Sequence, residues 1–528
     1  MRRLIRIYDT TLRDGTQGEG VSFSLEDKLR IAARLDAAGF HYIEGGWPGS
    51  NPKDIRFFRR VQDLHFKQAK VAAFSMTRRP GVSAASDASL QALVDAGAPV
   101  ATIVGKSWDF HATHVLGTTL AENLSMIGDT VAYLRPQVEE VVYDAEHFFD
   151  GFRANRAYAL ETLAAAAAAG AAWLVLCDTN GGTLPAELIE IVREVRKHVR
   201  TPLGIHVHND ADCAVANSLA AVAEGVDQVQ GTVNGYGERC GNANLVSVIP
   251  NLLLKMKLEC VPGGGLRELR GLSRFVAELA NRPPAPGQPY VGDSAFAHKG
   301  GMHVSAVQKY PETYEHVDPE AVGNHRRVLI SELAGKSNIL WKAREYGIDL
   351  AGDTADSRRI LERLKALEDE GFQFEGAEAS FELLMERALG RGTSHFDLEA
   401  YRVLVEEQSA AGGPVAEATV RLRVRGVLEH TAASGSGPVN ALDHALRKAL
   451  DEFYPALKAV RLVDYRVRIL DESKGTAAKT RVLITSGDGE ETWGTVGVSD
   501  NIIEASWRAL VDSIEYKLRR DERQSRRP

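Results

Sequence analysis

Short runs of β-branched and apolar residues recur along the first half of the chain, and helical patterns separate them. Eight runs have the length of buried strands, and they begin near residues 3, 41, 70, 100, 140, 173, 203 and 227. The intervening segments carry helix signals; one begins at the capping residue Ser24 and ends at Gly39. Eight strands that alternate with helices over roughly 260 residues predict a (β/α)8 TIM barrel.

The pattern changes after Pro262, and two further regions follow. Residues 263–410 hold helical segments, and residues 411–528 combine alternating apolar and polar positions with two helices. Gly263–Gly265 predicts a flexible turn and Ala410–Pro414 a hinge. We therefore expect an α/β protein with three parts: a barrel over 1–262, helical linker subdomains over 263–410, and a C-terminal α+β domain over 411–528.

Composition narrows the function classes. The chain of 528 residues has a net charge of -8, so it lacks the excess of basic residues that is typical of nucleic-acid binders. No window reaches the roughly 18 apolar residues of a membrane span, and the N-terminus turns polar too early for a signal peptide. The four cysteines form no CxxC pair, which is typical of reduced thiols. These features predict a cytoplasmic protein without nucleic-acid or membrane partners.

Two histidines raise the question of a metal. His206 and His208 alternate along the seventh strand and therefore point to one side, either as a metal-binding pair or as hydrogen-bonded core histidines. In a barrel, chemistry is expected at the C-terminal ends of the strands. Polar residues follow most of the other strands at that end: Arg13, Asp14, Glu44, Glu146, Asp178, Thr179, Asn234, Glu238, Arg239 and Asn242.

This convergence favours a metal site over two core histidines. Asp14 supplies a hard oxygen ligand as the third member of the set, and Asn242 is the candidate fourth ligand. A set of nitrogen and oxygen ligands with open positions suits Mn, Zn, Co or Mg without choosing among them.

Three motifs carry a resemblance to a known family. They are "LRDGTQ" at 12–17 followed by Lys28, "HVHND" at 206–210, and "GERCGN" at 237–242. In this order they resemble the 2-isopropylmalate and homocitrate synthase family. The segments at 42–54, 104–124 and 143–152 are most similar to its pyruvate-using branch, and the C-terminal region resembles the family's regulatory domain. Asp212 departs from the family pattern, where glycine is frequent.

The resemblance implies a metal-dependent Claisen condensation of acetyl-CoA with pyruvate and water, which yields (R)-citramalate and CoA. It implies that the metal lies on Asp14, His206 and His208, and that Arg13 stabilises the alkoxide formed at the ketone carbon. Further substrate contacts are expected from Thr179, which donates to the carboxylate, and from Glu146.

The remaining expected roles are supporting ones. Gln17 and Glu44 orient the ligands, and Val104 with Tyr143 limits the size of the 2-oxo acid. The resemblance also implies that His303, inserted from a partner subunit of a homodimer, assists proton removal from the acetyl group. Tyr314 is a weaker candidate for the same step.

The C-terminal domain is expected to bind an end-product amino acid, isoleucine, as an effector. Two glycine-rich segments, Gly435–Gly437 and Gly494–Gly497, predict turns whose N–H groups face its carboxylate. The alternatives are a family member that takes a longer 2-oxo acid, namely a 2-isopropylmalate or homocitrate synthase. A lyase or aldolase on the same barrel, or an amino-acid sensor with an inactive barrel, would be different classes.

Overall fold

The computed structural model describes residues 3–331, 334–348, 350, 354–392, 394–408 and 413–525. The chain divides into two compact units, Met1–Phe296 with Glu315–Arg326, and Ala297–Tyr314 with Arg327–Pro528. The domain boundary predicted after residue 262 stays a prediction. The boundary predicted after residue 410 and most of the predicted hinge fall outside the described residues.

The first unit contains a closed barrel of eight strands in sequential order, all parallel. The first predicted strand start, residue 3, lies three residues before the observed one, and the other seven agree within one residue. The predicted barrel is therefore confirmed. The strands are β1 (Arg6–Asp9), β2 (Tyr42–Gly46), β3 (Lys70–Met76), β4 (Val100–Lys106), β5 (Glu140–Glu146), β6 (Trp173–Asp178), β7 (Leu203–Val207) and β8 (Gln228–Gly231).

Helices follow the strands and form the outer layer. The predicted cap at Ser24 is present: its hydroxyl accepts from the Asp27 N–H, and the Asp27 carboxylate accepts from the Ser24 N–H. The helices are α1 (Leu25–Ala37), α2 (Pro52–Val61), α3 (Ala88–Asp95), α4 (Leu120–Leu134), α5 (Phe148–Ala154), α6 (Arg156–Ala168), α7 (Pro185–His198), α8 (Ala214–Ala223), α9 (Leu245–Pro250), α10 (Gly263–Arg267) and α11 (Leu269–Leu279).

The flexible turn predicted at Gly263–Gly265 is wrong, because these residues begin α10. The helix packs closely on the end of α1. A Cβ added at Gly265 would meet the carbonyl oxygen of Ala38 at 2.0 Å, so glycine here permits a close approach of two backbones.

Alternation along each strand separates two buried layers. On β5, Val142 packs inside the barrel, whereas Val141 and Tyr143 belong to the core between strands and helices. Asp144 and Glu146 share the parity of Val142 and face the barrel interior. Both acids lie in the half of β5 that is nearer its C-terminal end.

The second unit opens with a short parallel pair, β9 (Ala297–His298) and β10 (Arg327–Val328). Two three-stranded antiparallel sheets follow later in the chain, and a helix comes after the last strand of each. The C-terminal region therefore repeats the order strand–strand–strand–helix. Its elements are α12 (Gly301–Lys309), α13 (Lys336–Glu345), α14 (Thr354–Asp369), α15 (Glu378–Ala388), β11 (Phe396–Gln408), β12 (Gly413–Val424), β13 (Val427–Gly435), α16 (Pro438–Leu450), β14 (Arg461–Ile469), β15 (Thr480–Gly487), β16 (Thr492–Ser499) and α17 (Ile502–Ser525).

One of the two predicted glycine-rich turns is wrong. Gly494 and Gly497 lie within β16. A Cβ at Gly494 would meet the Gly376 carbonyl oxygen at 1.9 Å, and a Cβ at Gly497 would meet that of Ala505 at 2.0 Å. These glycines therefore allow neighbouring backbone to pack on the strand. Gly435 ends β13 and Gly437 caps α16, as a turn requires. Among the described helices, none is both long and apolar enough to cross a membrane.

Candidate metal centre and active site

A cavity of about 260 Å³ opens at the C-terminal ends of the barrel strands. Side chains from all eight strand ends or the loops after them line it. Eight residues predicted for the site are among them: Arg13, Asp14, Gln17, Val104, Glu146, Thr179, His206 and His208. The barrel thus brings together groups that are far apart in the chain.

Three of these residues form a compact ligand set. The Oδ2 atom of Asp14 lies 3.3 Å from Nε2 of His206 and 3.9 Å from Nε2 of His208, and the two Nε2 atoms are 3.4 Å apart. All three side chains are buried. Asp14 starts the short turn after β1, and both histidines project from the end of β7.

A glutamine fixes which nitrogen of His206 faces Asp14. The Gln230 amide donates to Oδ1 of Asp144 at 3.0 Å, and its Oε1 lies 3.0 Å from Nδ1 of His206. Because the amide donates on one side, its oxygen accepts from Nδ1–H on the other. The lone pair of His206 is then on Nε2, within the ligand set.

The charges suit a bound cation. Burial opposes ionisation of Asp14, but the guanidinium of Arg13 and the two imidazoles hold the pKa of its carboxyl well below its usual range. Burial lowers the pKa of His208 to about 4, which keeps this imidazole neutral near neutral pH. Burial, reinforced by the charge of Glu44, raises the pKa of Asp144 to about 7.

Three buried atoms around the set make no hydrogen bond within the described part of the chain: Oδ2 of Asp14, Nδ1 of His208 and Oδ1 of Asn242. Asn242 pairs with His208 through a backbone bridge, and its amide donates to the Tyr236 carbonyl at 3.2 Å. Buried polar atoms without partners are costly unless a ligand satisfies them. Because Oδ2 of Asp14 has no donor in the described chain and lies beside the Nε2 atoms of both histidines, the buried Asp–His–His group fits a divalent metal site. Asn242 as the fourth ligand stays a prediction.

The loop that carries Asn242 depends on glycine. Gly237 and Gly241 adopt φ values of +155° and +89°. A Cβ at Gly237 would meet the Asn242 amide nitrogen at 2.1 Å, and a Cβ at Gly241 would meet the Gly235 carbonyl at 2.0 Å. The glycines of the "GERCGN" motif thus let the loop fold tightly beside the Asp–His–His group.

Arg13 is held over the cavity by an acid and a ring. Its Nε donates to Oε2 of Glu44 at 2.6 Å, and its guanidinium lies 3.9 Å from the centre of the Phe74 ring. Glu44 is fully buried and also accepts from the hydroxyls of Tyr8 and Thr10. Its two oxygens therefore accept from three protein donors, and through one of them Glu44 orients Arg13. Its predicted role in orienting the ligands stays a prediction.

The backbone N–H of His147 orients the hydroxyl of Thr179. Its Oγ accepts from the N–H of His147 at 2.8 Å, and His147 adopts a φ of +56°. Since the oxygen is engaged as an acceptor, the hydroxyl hydrogen remains to be donated elsewhere. Gln17 reaches the cavity from the turn that follows Asp14.

The predicted size-limiting pair is separated by strand alternation. Val104 lines the cavity together with Trp47, Phe74 and Met76. Tyr143 is fully buried on the opposite face of β5, and its hydroxyl contacts Oγ of Ser107 at 3.2 Å. The prediction of Tyr143 as a substrate contact is therefore corrected, because its odd position on the strand points it toward the helices.

The two predicted residues outside the barrel belong to the second unit. The ring of His303, on α12, stacks on that of Tyr314 with 4.1 Å between centroids and 25° between planes. Both side chains are exposed within this unit. The structure brings the two together, and their part in a reaction stays a prediction.

Several functional neighbours were missed by sequence reasoning. Asp144 and Lys106 line the cavity, and Gln230 orients His206. Strand alternation could have identified two of them, because residues two apart on a strand point to the same face. Asp144 lies two residues before Glu146, and Lys106 lies two residues after Val104. Cys177, and not the exposed Cys240, faces the cavity.

Together, the barrel and its buried ligand set define a metal-dependent enzyme of the (β/α)8 class. Comparison with known families agrees with this class: the model described as HMGL-like matches residues 4–276. A model described as homocitrate synthase post-HMGL domain-like matches 290–372, and one described as the LeuA allosteric (dimerisation) domain matches 375–518. The chain belongs to the HMGL-like family.

Curated relatives match along nearly the whole chain. A protein named (R)-citramalate synthase from Geobacter sulfurreducens is 60% identical, over 98% of this chain and 98% of its own. One of the same name from Aquifex aeolicus is 56% identical over 99% of both chains. A probable 2-isopropylmalate synthase from Methanopyrus kandleri is 33% identical over 98% of this chain and 99% of its own.

Proposed function

We propose that this protein condenses acetyl-CoA with pyruvate and water to form (R)-citramalate and CoA. The observation that carries the proposal is the Asp14–His206–His208 group beside Arg13 in one small cavity. Relatives with the name (R)-citramalate synthase, 60% and 56% identical over almost the full length, support this acceptor over longer 2-oxo acids.

The metal site would be held by Asp14, His206 and His208, with Asn242 as the proposed fourth ligand and Mn, Zn, Co or Mg as the ion. A divalent cation there would supply Lewis-acid polarisation of the ketone oxygen. Gln230 keeps Nε2 of His206 available as a ligand, and the neutral imidazole of His208 needs no deprotonation near neutral pH.

Arg13 would stabilise negative charge that develops on the ketone oxygen. Glu44 and Phe74 hold its guanidinium in one place, so little reorganisation is needed during the reaction. Preorganised donors of this kind typically contribute about 10²–10³-fold in rate. The acids around Arg13 raise the pKa of its guanidinium further, although burial opposes this, so that it stays cationic.

Thr179 would donate its hydroxyl hydrogen to the pyruvate carboxylate, since its oxygen already accepts from the His147 N–H. Gln17 would supply a further polar contact from the turn beside Asp14. Glu146 would act near the acetyl methyl group at the cavity wall. These three roles rest on the positions of the side chains around the cavity.

His303, with Tyr314 stacked on it, would assist proton removal from the acetyl methyl group after insertion from the partner subunit of a homodimer. A positioned base typically contributes about 10²–10⁴-fold. Water then cleaves the thioester of the condensed product, with release of CoA as the thiol. A match to a domain described as allosteric and dimerising supports the dimer.

The same match supports control by an effector bound in the C-terminal region, and we propose isoleucine as the ligand. The turn between Gly435 and Gly437 is the candidate contact for its carboxylate. The proposed location of the enzyme is the cytoplasm, where acetyl-CoA and reducing conditions are both present.

The decisive experiment follows thiol release from acetyl-CoA with four acceptors in parallel: pyruvate, 2-oxobutyrate, 2-oxoisovalerate and 2-oxoglutarate. Pyruvate is expected to give the highest kcat/KM, because the cavity is small and Val104, Met76 and Phe74 form its apolar wall. If 2-oxoisovalerate gave the higher kcat/KM, a 2-isopropylmalate synthase, the alternative represented among the relatives, would replace this proposal.

The effector is tested by titrating isoleucine, leucine, valine and lysine against the full-length enzyme. Isoleucine is expected to inhibit without competing with pyruvate, since coupling between separate sites is typically about 1–3 kcal/mol. Strictly competitive inhibition would place the amino acid in the barrel cavity. Absence of inhibition by all four would leave the C-terminal region with dimerisation alone.

A further inference from the structure

An ion pair crosses the two strands at the wall of the cavity. Lys106 and Glu146 are the last residues of β4 and β5 and are register partners. The Lys106 ammonium contacts Oε2 of Glu146, and the side chains are only 11% and 23% exposed. Both line the cavity that contains the metal ligands.

The backbone around the pair is fixed on both strands. The N–H of Ser107 donates to the Glu146 carbonyl at 3.1 Å, and the Asn123 amide donates to the Lys106 carbonyl at 2.8 Å. The strand ends are therefore locked to each other, and the freedom that remains lies in the two side chains.

The other cations of the cavity pair with different acids. Arg13 contacts Glu44 and Asp14. The Arg239 guanidinium binds both oxygens of Asp210, at 2.8 and 2.9 Å. Within the described residues, the ion pair of Glu146 is therefore the one with Lys106.

Glu146 needs such a partner because it shares the cavity with other acids: Asp14, Asp144 and Glu238. Repulsion among negative charges in a confined site favours a rotamer that turns the carboxylate away from them. An ammonium on the next strand offsets this repulsion and holds the carboxylate against one wall.

We propose that Lys106 is a positioning residue that fixes the Glu146 carboxylate for the reaction. It acts through Glu146 and not through its own contact with the substrate. This inference rests on the proposed function, in which Glu146 works near the acetyl group.

The test is a double-mutant cycle with Lys106→Met, Glu146→Gln and the combined variant. We expect Lys106→Met to lower kcat about 10- to 100-fold, since a small misplacement of a reacting group has that effect, with KM for pyruvate within about twofold. In the Glu146→Gln background, the same change should alter kcat by less than about twofold. If the kcat losses of the two single variants multiplied in the combined variant, Lys106 would act independently of Glu146, through its own contact with the substrate. That result would overturn the proposal.

Lys106→Arg provides rescue: it keeps the charge and should recover part of kcat, whereas Lys106→Gln should resemble Lys106→Met. The pH profile of kcat should move with Lys106→Met and return toward that of the wild type with Lys106→Arg. An unchanged profile together with no loss of kcat would contradict a positioning role.

Lys70→Met is the matched control. Lys70 begins β3 at the opposite end of the same barrel and pairs with Glu140 of β5 at 2.7 Å. Its loss should leave kcat within about twofold, with thermal unfolding and metal content measured for every variant. If Lys70→Met lowered kcat as much as Lys106→Met, the effect would be one of barrel stability and the proposal would fall.

The wild-type assay separates the two proposals. Turnover with a different 2-oxo acid would overturn the proposed acceptor, and the cycle would then be run with that acid. Absence of thiol release with all four acids would overturn both.

Discussion

The two ends of the barrel treat buried charge in opposite ways, as β5 illustrates. At its start, Glu140 accepts from Lys70, from the Tyr42 hydroxyl at 2.8 Å and from the Trp173 indole at 3.2 Å. Burial opposes its ionisation, but these partners keep the pKa of Glu140 below its ordinary value. Four residues later, burial raises the pKa of Asp144 to about 7.

The charged groups at the two ends of the barrel have different roles. The N-terminal end pairs its charged groups locally, which stabilises the barrel. The C-terminal end leaves Asp14, His208 and Asn242 with buried atoms that have no hydrogen-bond partner in the described chain, which is unfavourable for stability but suits a ligand. Barrel enzymes generally divide stability and chemistry between their ends in this way.

The largest expected effect is at the C-terminal end. His206→Ala or Asp14→Ala should remove most bound metal and reduce turnover by more than the roughly 10²–10³-fold that one preorganised donor contributes. The barrel should remain folded, because these groups add little to the apolar core. Elemental analysis, circular dichroism and the thiol assay measure the three quantities.

His198→Ala is the control for that loss, since His198 lies exposed at the end of α7. It should retain metal and activity. A His206→Ala enzyme that is fully loaded with metal and active would contradict the assigned ligand set.

The second prediction concerns the N-terminal end. Glu140→Ala should lower the free energy of unfolding by about 1–3 kcal/mol, because three donors lose a partly buried acceptor. The value of kcat should stay within about twofold. Thermal unfolding and the thiol assay test this, with the more exposed Glu139→Ala expected to change stability by less than about 0.5 kcal/mol. A large loss of kcat in Glu140→Ala would contradict the division of stability and chemistry between the two ends of the barrel.

The third prediction separates the two faces of the strands at the C-terminal end. Val104→Ala should favour the longer acceptor 2-oxobutyrate over pyruvate by about 10-fold in kcat/KM, which is within the range for one methylene in an apolar pocket. Tyr143→Phe should leave the preference between the two acceptors unchanged, since Tyr143 faces the helices. Equal changes in the two variants would show that the preference reports general loosening of the barrel.

The smallest expected effect is a pH dependence at the N-terminal end. Nδ1 of His41 accepts from the Ile7 N–H at 3.1 Å, and burial lowers the pKa of His41 to about 4. The unfolded chain binds this proton near pH 6.5. The contribution of neutral His41 to the free energy of unfolding is therefore complete above about pH 6.5 and is lost as the pH falls toward about 4.

His41→Asn keeps an acceptor at a similar position but cannot be protonated in this range. Between about pH 7 and pH 5, the wild type should lose more in Tm than His41→Asn, by about 2 °C or less for each 1 kcal/mol of difference, because the shift becomes smaller as the domain becomes larger. Parallel Tm–pH curves for the two proteins would show that His41 does not titrate with folding.

Much of the barrel was predictable because its signals are local. The period of apolar residues and the caps at the helix ends depend on neighbours within a few positions, and they gave seven strand starts within one residue. The motifs around Asp14, His206 and Asn242 likewise identified groups at one end. The same reasoning predicted a turn at Gly494–Gly497, which lies within β16, because glycine is a frequent turn residue.

Partners across strands could not be predicted in this way. Lys106 meets Glu146 forty residues away, and Gln230 joins Asp144 to His206, only because the barrel closes in one register. Register depends on the packing of all eight strands together, and no short window of sequence contains it.

Local patterns in the sequence predicted the alternation of strands and helices, the end of the barrel that carries the polar groups, and the three residues of the buried Asp–His–His group. The hydrogen bond of Glu44 to Arg13, the position of Tyr143 toward the helices, and the contact of Gln230 with His206 became apparent only in the folded barrel. The physical reason is distance along the chain: backbone periodicity follows from neighbouring residues, whereas hydrogen-bond partners and buried charge depend on which strands the closed barrel sets side by side.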